Sequence, residues 1–308
     1  IFSCGKLFAI DDSTYHRYNP LLTTYMTVRS ADNYFYVDTS INDFQRYNFA
    51  FSNLQLTNGN FGSPYFSLQM PTYEVVGFDL GMHEFDNYVL DFGDLKFYNT
   101  KKPFTQLKYV LGLHNEQMLT VTHTQNIGKN ANASIYIERI GIDGIYKHQR
   151  NDVFNIALNG SYKSKGNRYE IFAAFIHNNL KSADNGGVNN DSVFTDTHLI
   201  SKDLAEVFLD SAETQWQSDG VFILQELNLG KMKTDSLKNK YVIPDFHITH
   251  QLSLNEKLYA FYDDSVDFKN YSNAANFNYE KTNDSWLVES IKNDLKFERY
   301  SGGNVFRQ

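Results

Sequence analysis

Residues 153–163, Val-Phe-Asn-Ile-Ala-Leu-Asn-Gly-Ser-Tyr-Lys, decide the fold class of this 308-residue chain. Side chains along a β-strand point alternately to opposite faces, so every second residue of the stretch shares a face. Phe154, Ile156 and Leu158 then lie on one face, while their Asn and Ala neighbours lie on the other. A strand with one apolar face and one polar face is typical of a sheet that separates lipid from water.

The next stretch repeats this pattern after a tight turn at Ser164-Lys165-Gly166-Asn167. In residues 168–178, Tyr169, Ile171 and Phe175 share a face, so the two stretches predict a β-hairpin. Further alternating runs bring the expected total to about ten strands, and they span residues 106–113, 118–125, 133–140, 221–229, 246–254 and 258–262. The sequence therefore predicts an all-β fold, a transmembrane antiparallel β-barrel with long extracellular loops.

Composition supports strands and excludes several classes of protein. Aromatic residues make up 16% of the chain and Pro occurs only 5 times, which favours sheet over helix. The longest purely apolar run, residues 171–176, is far shorter than the roughly 20 residues of a spanning helix. The formal net charge of −8 offers no basic surface for phosphate backbones, so we expect no nucleic-acid partner.

Alternation alone does not exclude a soluble β-sandwich, because the strands of a sandwich also alternate and their polar side chains form its outer surface. Tyrosines near the ends of many runs favour a barrel, since aromatic belts mark both membrane interfaces. In the barrel interpretation, residues 1–74 form an N-terminal segment that precedes the barrel, and residues 75–308 supply its strands and loops. The polar stretch 181–220 is then an extracellular loop with a short helix at 204–213, and Asn255-Glu256-Lys257 is a turn.

Residues 97–105, Phe-Tyr-Asn-Thr-Lys-Lys-Pro-Phe-Thr, resemble an aromatic-Asn-Thr-basic-Pro-Phe-Thr signature of the putative porin family of Bacteroidota outer membranes. Further pieces of the family pattern follow in the right order and spacing across roughly residues 77–188. These pieces are Glu116-Gln117, His123-Thr124-Gln125-Asn126, Gly144 with Tyr146, Gln149-Arg150, Arg168-Tyr169, and Asn178 before Asp184-Asn185-Gly186-Gly187.

The resemblance implies a β-barrel located in the bacterial outer membrane, with porin activity inferred for the family and no established substrate. The chain departs from the family in its length and in its last residues, where Phe306 is followed by Arg307-Gln308. Barrel proteins of this kind commonly end on an aromatic residue. We therefore expect the chain to be only part of a larger barrel.

No enzyme motif stands out in the chain, so we expect no catalytic activity and no cofactor. His247 and His250 look like a metal pair, but residues three apart on a strand point to opposite faces and cannot share one ion. Asp263, Asp264 and Asp267 could be imagined as paired glycosidase carboxylates, but adjacent strand residues also point apart, and a solvated rim is the simpler interpretation.

The inward face is the candidate functional surface of the predicted barrel. Its candidate lumen-facing residues are Lys108, Ser134, Glu138, Asn155, Asn159, Lys163, Arg168, Glu170, His247, Thr249 and Gln251. Four Asp-Ser-apolar triplets also look like the O-glycosylation sequon described for this phylum. Their candidate serines are Ser192, Ser211, Ser236 and Ser265.

The leading functional hypothesis is a porin that lets small solutes diffuse through the outer membrane. The alternative is a structural or accessory barrel subunit of a larger outer-membrane assembly for secretion or nutrient uptake. A soluble all-β carbohydrate-binding or hydrolytic domain is the third hypothesis. The first two imply outer-membrane lipid as a partner, and the second adds other outer-membrane subunits.

Overall fold

The computed structural model describes residues 23–30, 34–37, 55–57, 59–68, 78–190, 194, 202–234, 240–266, 271, 281–301 and 304–307. Regular structure in these ranges consists of β-strands and short 3₁₀ helices. No helix within them is both long enough and apolar enough to cross a membrane.

Nine strands form one antiparallel sheet in which each strand pairs with its neighbours in sequence. This order follows from the alternating stretches and the turn residues between them, because consecutive strands joined by short turns pair first. The strands are β6 (Phe104–Leu111), β7 (Gln117–Ile127), β8 (Ala131–Ile142), β9 (Asn151–Lys163), β10 (Tyr169–Asp184), β11 (Ala212–Thr234), β12 (Lys240–Asp263), β13 (Thr282–Ser301) and β14 (Asn304–Arg307).

Two smaller sheets involve residues that precede the large sheet. A three-stranded sheet has the order β2-β1-β5, and β3 pairs with β4 as a separate hairpin. The bounds are β1 (Thr23–Thr27), β2 (Phe35–Tyr36), β3 (Gln55–Thr57), β4 (Tyr65–Ser67) and β5 (Lys96–Thr100). The 3₁₀ helices are Val28–Ser30, Asp86–Tyr88, Phe92–Asp94 and Lys202–Leu204.

The predicted all-β antiparallel fold is confirmed. Within the described ranges the sheet has two ends, β6 and β14, and no pairing closes it into a ring. The division predicted at residue 75 stays a prediction. The large sheet itself begins at Phe104, and the chain just before it lies against one of its faces.

Two local predictions were wrong. Asn255-Glu256-Lys257 is no turn, because β12 runs through it and pairs with β11 and β13 on both sides. The helix predicted at 204–213 is replaced by a 3₁₀ helix that ends at Leu204 and by β11, which starts at Ala212. Two predicted runs therefore merge into β12, so the eight runs account for seven strands of the large sheet. The remaining two, β13 and β14, were not among the predicted runs.

The long connections of the large sheet lie at one end, together with the short connection 112–116, and the other end has only short connections. Because β12 is continuous, both 185–211 and 264–281 fall at the long-loop end. Connections at the short end span residues 128–130, 164–168, 235–239 and 302–303, and those at the other end span 112–116, 143–150, 185–211 and 264–281.

Candidate functional site

One face of the large sheet is covered by residues 85–100, which we call the inner segment. We call the covered face the inner face and the opposite face the outer face. Phe92 of the inner segment stacks on Phe222 of β11 at 5.2 Å between ring centroids, and Phe97 meets Phe172 of β10 edge-on at 5.1 Å. These rings belong to a buried apolar cluster shared by the segment and the sheet.

A glycine makes the stacking of Phe92 possible. Gly220 of β11 lies beneath the ring, and a Cβ atom added there would stand only 2.7 Å from Phe92 Cζ. Real Cβ atoms essentially never come this close to a ring, so any larger residue would push the ring away. Gly220 therefore shapes the seat of the inner segment by leaving out a side chain.

Asparagines on β9 bind the inner segment through its backbone. Asn155 Nδ2 donates to the carbonyl oxygen of Tyr88 at 2.7 Å, and Asn159 Nδ2 donates to that of Lys96 at 2.8 Å. Asn155 is 1% exposed. A buried side-chain amide is costly unless it is hydrogen-bonded, and here the Nδ2 donors of both asparagines bind backbone carbonyls of the inner segment.

Asn178 on β10 grips the backbone at two points. The Leu90 N–H donates to Asn178 Oδ1 at 3.0 Å, and Asn178 Nδ2 donates to the Leu90 carbonyl oxygen at 3.1 Å. Asn126 on β7 accepts from the Thr100 N–H at 3.1 Å and donates to Asn99 Oδ1 at 3.0 Å. Amides from three strands thus hold one segment along its length.

The outer face carries the large apolar side chains. Its apolar residues fall in stretches of seven to nine residues, which we call the outer band. Leu158 of β9 is 47% exposed and Ile291 of β13 is 75% exposed. A water-soluble sheet would bury these residues, so the arrangement is the reverse of a soluble β-sandwich. The band spans residues 154–162, 169–175, 221–229, 246–254 and 291–297 on β9 to β13.

The centre of the outer band shifts along the strand direction, relative to the paired residues, from β6 to β12. On β6 the exposed apolar residues centre on Tyr109, whose partner across the sheet on β12 is Leu258. The band on β12 centres instead on His250, eight residues away (258 − 250) after six strand-to-strand steps. With roughly 3.4 Å per residue and about 4.8 Å between strands, a level band requires a strand tilt of about 43°.

This tilt agrees with the 35–45° or so of transmembrane barrels. A band of nine residues at that tilt is about 22 Å tall, close to the roughly 25 Å apolar belt of such barrels. Charged residues bound the band, with Asp219 and Glu256 at the long-loop end and Lys231 and Arg299 at the other. Burial and register therefore agree on one membrane-sized belt.

The family model described as "Putative porin" matches residues 22–307. The chain belongs to this family. The match covers nearly the whole chain, so both the inner segment and the large sheet lie within it. No curated protein and no solved structure matched in the same comparisons. At the level of the family, this is a porin-like protein of the outer membrane.

Several predicted lumen-facing residues of this porin-like protein lie on the inner face. Ser134 is buried on β8, and Glu138 accepts a hydrogen bond from Asn155 Nδ2 at 3.0 Å. Lys108 on β6 shares its face with the buried Phe104. The structure brings these residues to one face of the sheet, although whether that face lines a lumen stays a prediction.

Lys163 and Glu170 pair at 2.9 Å across β9 and β10, near the short-turn end of the inner face. They line a cavity of about 90 Å³ together with Asn126 and Asn132. Arg168 lies apart from them, exposed in the turn before β10, so it belongs to the rim and not to a strand. The cavity therefore carries both charge signs and several amides beside the inner segment.

The histidines of β12 lie on opposite faces of the sheet, as the two-residue period predicts. On the inner face, His247 Nδ1 is 2.8 Å from Asn228 Oδ1, and its Nε2 is 3.0 Å from Thr249 Oγ1. Gln251 follows on the same face. His250 lies on the outer face, within the outer band.

Two candidate glycosylation serines meet one carboxylate at the long-loop end. Ser211 Oγ donates to Asp263 Oδ1 at 2.5 Å, and the backbone N–H of Ser265 donates to the same oxygen at 3.0 Å. Ser192 and Ser236 lie outside the described residues. The Ser211 hydroxyl is therefore already engaged in the fold.

Charged groups flank the start of the inner segment. His83 lies between Asp79, 3.0 Å from its Nε2, and Asp86, 2.8 Å from its Nδ1. The Gly81 backbone N–H is the main cause that lowers the pKa of Asp79. Burial raises the pKa of Asp86. The two carboxyls around one imidazole therefore differ in how readily they ionise.

Arg29 ties the middle of the inner segment to the small sheet. Its guanidinium lies 2.8 Å from Asp91 and 3.3 Å from Asp94, and the hydrogen bond to Asp91 raises the pKa of Arg29. Burial raises the pKa of Asp94. The side chains in both ion pairs are more than half exposed, so they add little stability.

Sequence reasoning missed the inner segment and its anchors Asn126 and Asn178. A signal was present, because Asn is depleted in strand interiors and yet recurs on one face of β7, β9 and β10. The inner segment has a weaker signal, since its contacts with Asn155, Asn159 and Asn178 use backbone groups that every residue carries.

Proposed function

We propose that this protein forms the wall of an outer-membrane pore through which small solutes diffuse. The observation that carries the proposal is the inverted polarity of the sheet, with apolar side chains exposed outside and amides and charges inside. A barrel wall satisfies its backbone hydrogen bonds within the sheet, and its two faces then serve lipid and water. The family match supports the same proposal.

The loop lengths support an orientation. Transmembrane barrels have short periplasmic turns and long extracellular loops. Residues 185–211 and 264–281 would then face the cell exterior, and the turn at 164–168 would face the periplasm. The ion pair of Lys163 and Glu170 would lie at the periplasmic mouth.

The inner segment obstructs the inner face, so diffusion requires that it move or leave space beside it. Asn155, Asn159 and Asn178 of the sheet bind the backbone of the segment. The segment's own Phe92 and Phe97 rings pack on the sheet. We infer that these contacts set how often the pore conducts. The proposed lumen-facing residues act along the path that opens.

Planar-bilayer recording with the purified protein tests the proposal. We expect discrete conductance steps, and more frequent steps from the double variant Asn155→Ala and Asn159→Ala, which frees two backbone contacts of the inner segment. Heat-modifiable migration on gels would show that both proteins are folded. A folded protein that is silent in both forms would contradict the diffusion pore.

The apolar packing of the inner segment favours a second candidate, a structural or accessory barrel subunit of a larger assembly. Nine buried apolar residues of the segment and the large sheet form one cluster with Met26 of β1, which suits a barrel that stays obstructed. A silent barrel that co-purifies with stoichiometric outer-membrane partners would support this candidate over the pore.

We also propose O-glycosylation in the Asp-Ser-apolar triplets, with Ser265 as the better placed of the two described sites because its hydroxyl is not the group bound to Asp263. Intact-mass measurement of protein purified from its native membrane should show hexose-type additions. Loss of one addition in Ser265→Ala would assign the site, whereas an unmodified mass would contradict the proposal.

A further inference from the structure

A row of polar side chains crosses the outer band. The Tyr169 hydroxyl donates to Gln225 Oε1 at 2.9 Å, and Gln225 Nε2 lies 3.5 Å from His250 Nδ1. His250 Nε2 in turn lies 3.0 Å from Asn293 Oδ1. We call these four residues, on β10 to β13, the polar row.

The polar row lies where hydrocarbon should be deepest. Gln225 is the middle residue of the band on β11, with Ile223 and Leu227 on either side of it on the outer face. His250 is the middle residue of the band on β12 and pairs directly with Gln225. Residues this close to the midplane normally face lipid tails, so Gln225 and His250 lie in the most apolar zone of the wall, while Tyr169 lies at the edge of the band.

The hydrogen bonds within the polar row do not use all of its N–H donors. A carboxamide has two N–H donors, and the Asn293 amide group donates to no partner among the described residues, since Asn293 enters the row through its oxygen. Donors without partners in hydrocarbon are costly, and polar groups at this depth usually face another protein.

We propose that the outer surface of β10–β13 binds a second copy of this chain within the membrane. The polar row contains no Asp, Glu, Lys or Arg and combines donors with acceptors, so the surface is complementary to itself across a two-fold axis. A row of one charge sign would repel its copy. On the outer face of these strands, charged side chains such as Asp219 and Lys231 lie outside the band, where water can screen them.

The size of the surface fits a specific contact. Four strands about 4.8 Å apart, with bands of seven to nine residues at about 3.4 Å per residue, cover about 520 Å² per copy. The pair would then bury about 1,040 Å² in total, just above the roughly 1,000 Å² expected of a biological interface. Leu252, Leu254 and Ile291 surround the polar row and supply the apolar part of the contact.

Cross-linking in native membranes tests the contact directly. With the single cysteine removed by Cys4→Ser, Leu254→Cys, which leaves all four residues of the polar row in place, should give a dimer with a short bismaleimide. Leu107→Cys, on the outer face of β6 and 67% exposed, is the matched control and should stay monomeric. A monomer for Leu254→Cys, or a cross-link to a different outer-membrane protein, would overturn the proposal.

A second measurement separates the polar row from general stickiness. The double variant Gln225→Leu and His250→Leu makes the band more apolar, so it should still insert and fold, which heat-modifiable migration checks. Sedimentation in detergent should show the dimer dissociation constant rising at least about tenfold. An unchanged or lower dissociation constant in the folded variant would overturn the role of the row. Neither measurement depends on whether the protein conducts.

Discussion

Replacing Asn178 by Ala should loosen the inner segment without disturbing the sheet. Asn178 is 1% exposed on the inner face of β10, where its amide binds both backbone groups of Leu90 and donates to Ser218 Oγ at 3.0 Å. Ala keeps the strand backbone and its ladder bonds. The change therefore removes contacts between the two layers and little else.

The size of the effect follows from the groups left behind. Both the N–H and the carbonyl of Leu90 lose their partner in Asn178, and each loss costs about 1–2 kcal/mol when the group cannot reach water. The free energy that holds the segment should fall by about 2–4 kcal/mol. Since each 1.4 kcal/mol or so is a factor of ten, the released population should rise roughly 30- to 700-fold.

Amide hydrogen exchange read by mass spectrometry measures this population. Peptides that cover residues 85–100 should exchange faster by the same factor, while peptides from β9 and β11 keep their protection. Asn179→Ala is the matched control, because the same residue type one position along lies on the outer face of β10 and should leave the exchange unchanged.

One outcome would refute the reasoning. If residues 85–100 exchange at the wild-type rate in Asn178→Ala, the Asn178 amide does not hold the segment, and the other amides together with the apolar cluster suffice. Bilayer recordings on the same preparations connect the result to function, since a looser segment should raise the fraction of time spent conducting.

Three further predictions concern other parts of the protein. Gly220→Val should displace the Phe92 ring and weaken the packing of the inner segment on β11 by about 1–3 kcal/mol. Hydrogen exchange around residue 92 should then be faster, and unchanged exchange would mean that the ring can shift freely. Leu158→Arg, in the middle of the band on β9, should destabilise the membrane-inserted barrel by about 2–4 kcal/mol in denaturant titrations, while Ala183→Arg, on the outer face of β10 beyond the band, costs less than about 1 kcal/mol; equal losses would place the membrane elsewhere. Glu170→Gln should shift the reversal potential of conducting channels toward anions, and an unchanged potential would remove this carboxylate from the solute path.

Alternation was enough to predict most strands of the large sheet. Residues 153–163 and 169–178 lie in β9 and β10, and the outward position of Phe154 and Phe175 follows from the two-residue period. A period of two says which residues share a face, but it does not say where a strand ends. For that reason β10 extends to Asp184, past the predicted end.

The error at Asn255-Glu256-Lys257 has a physical cause. Glu256 is where the apolar band on β12 stops, and a switch to charged residues looks like a turn when only the sequence is read. The strand continues because β11 and β13 pair with it on both sides, while Lys257 packs over the Trp216 ring at 6.0 Å. The edge of a membrane band and the end of a strand are different boundaries.

The anchors of the inner segment bear on how the family can vary. Asn155, Asn159 and Asn178 contact carbonyl and N–H groups, which are the same whatever residue occupies the position. Substitutions along residues 85–100 can therefore accumulate while the grip is retained, provided that aromatic rings remain at Phe92 and Phe97. Members of the family can therefore differ in the side chains of this segment while the sheet and its anchoring asparagines stay the same.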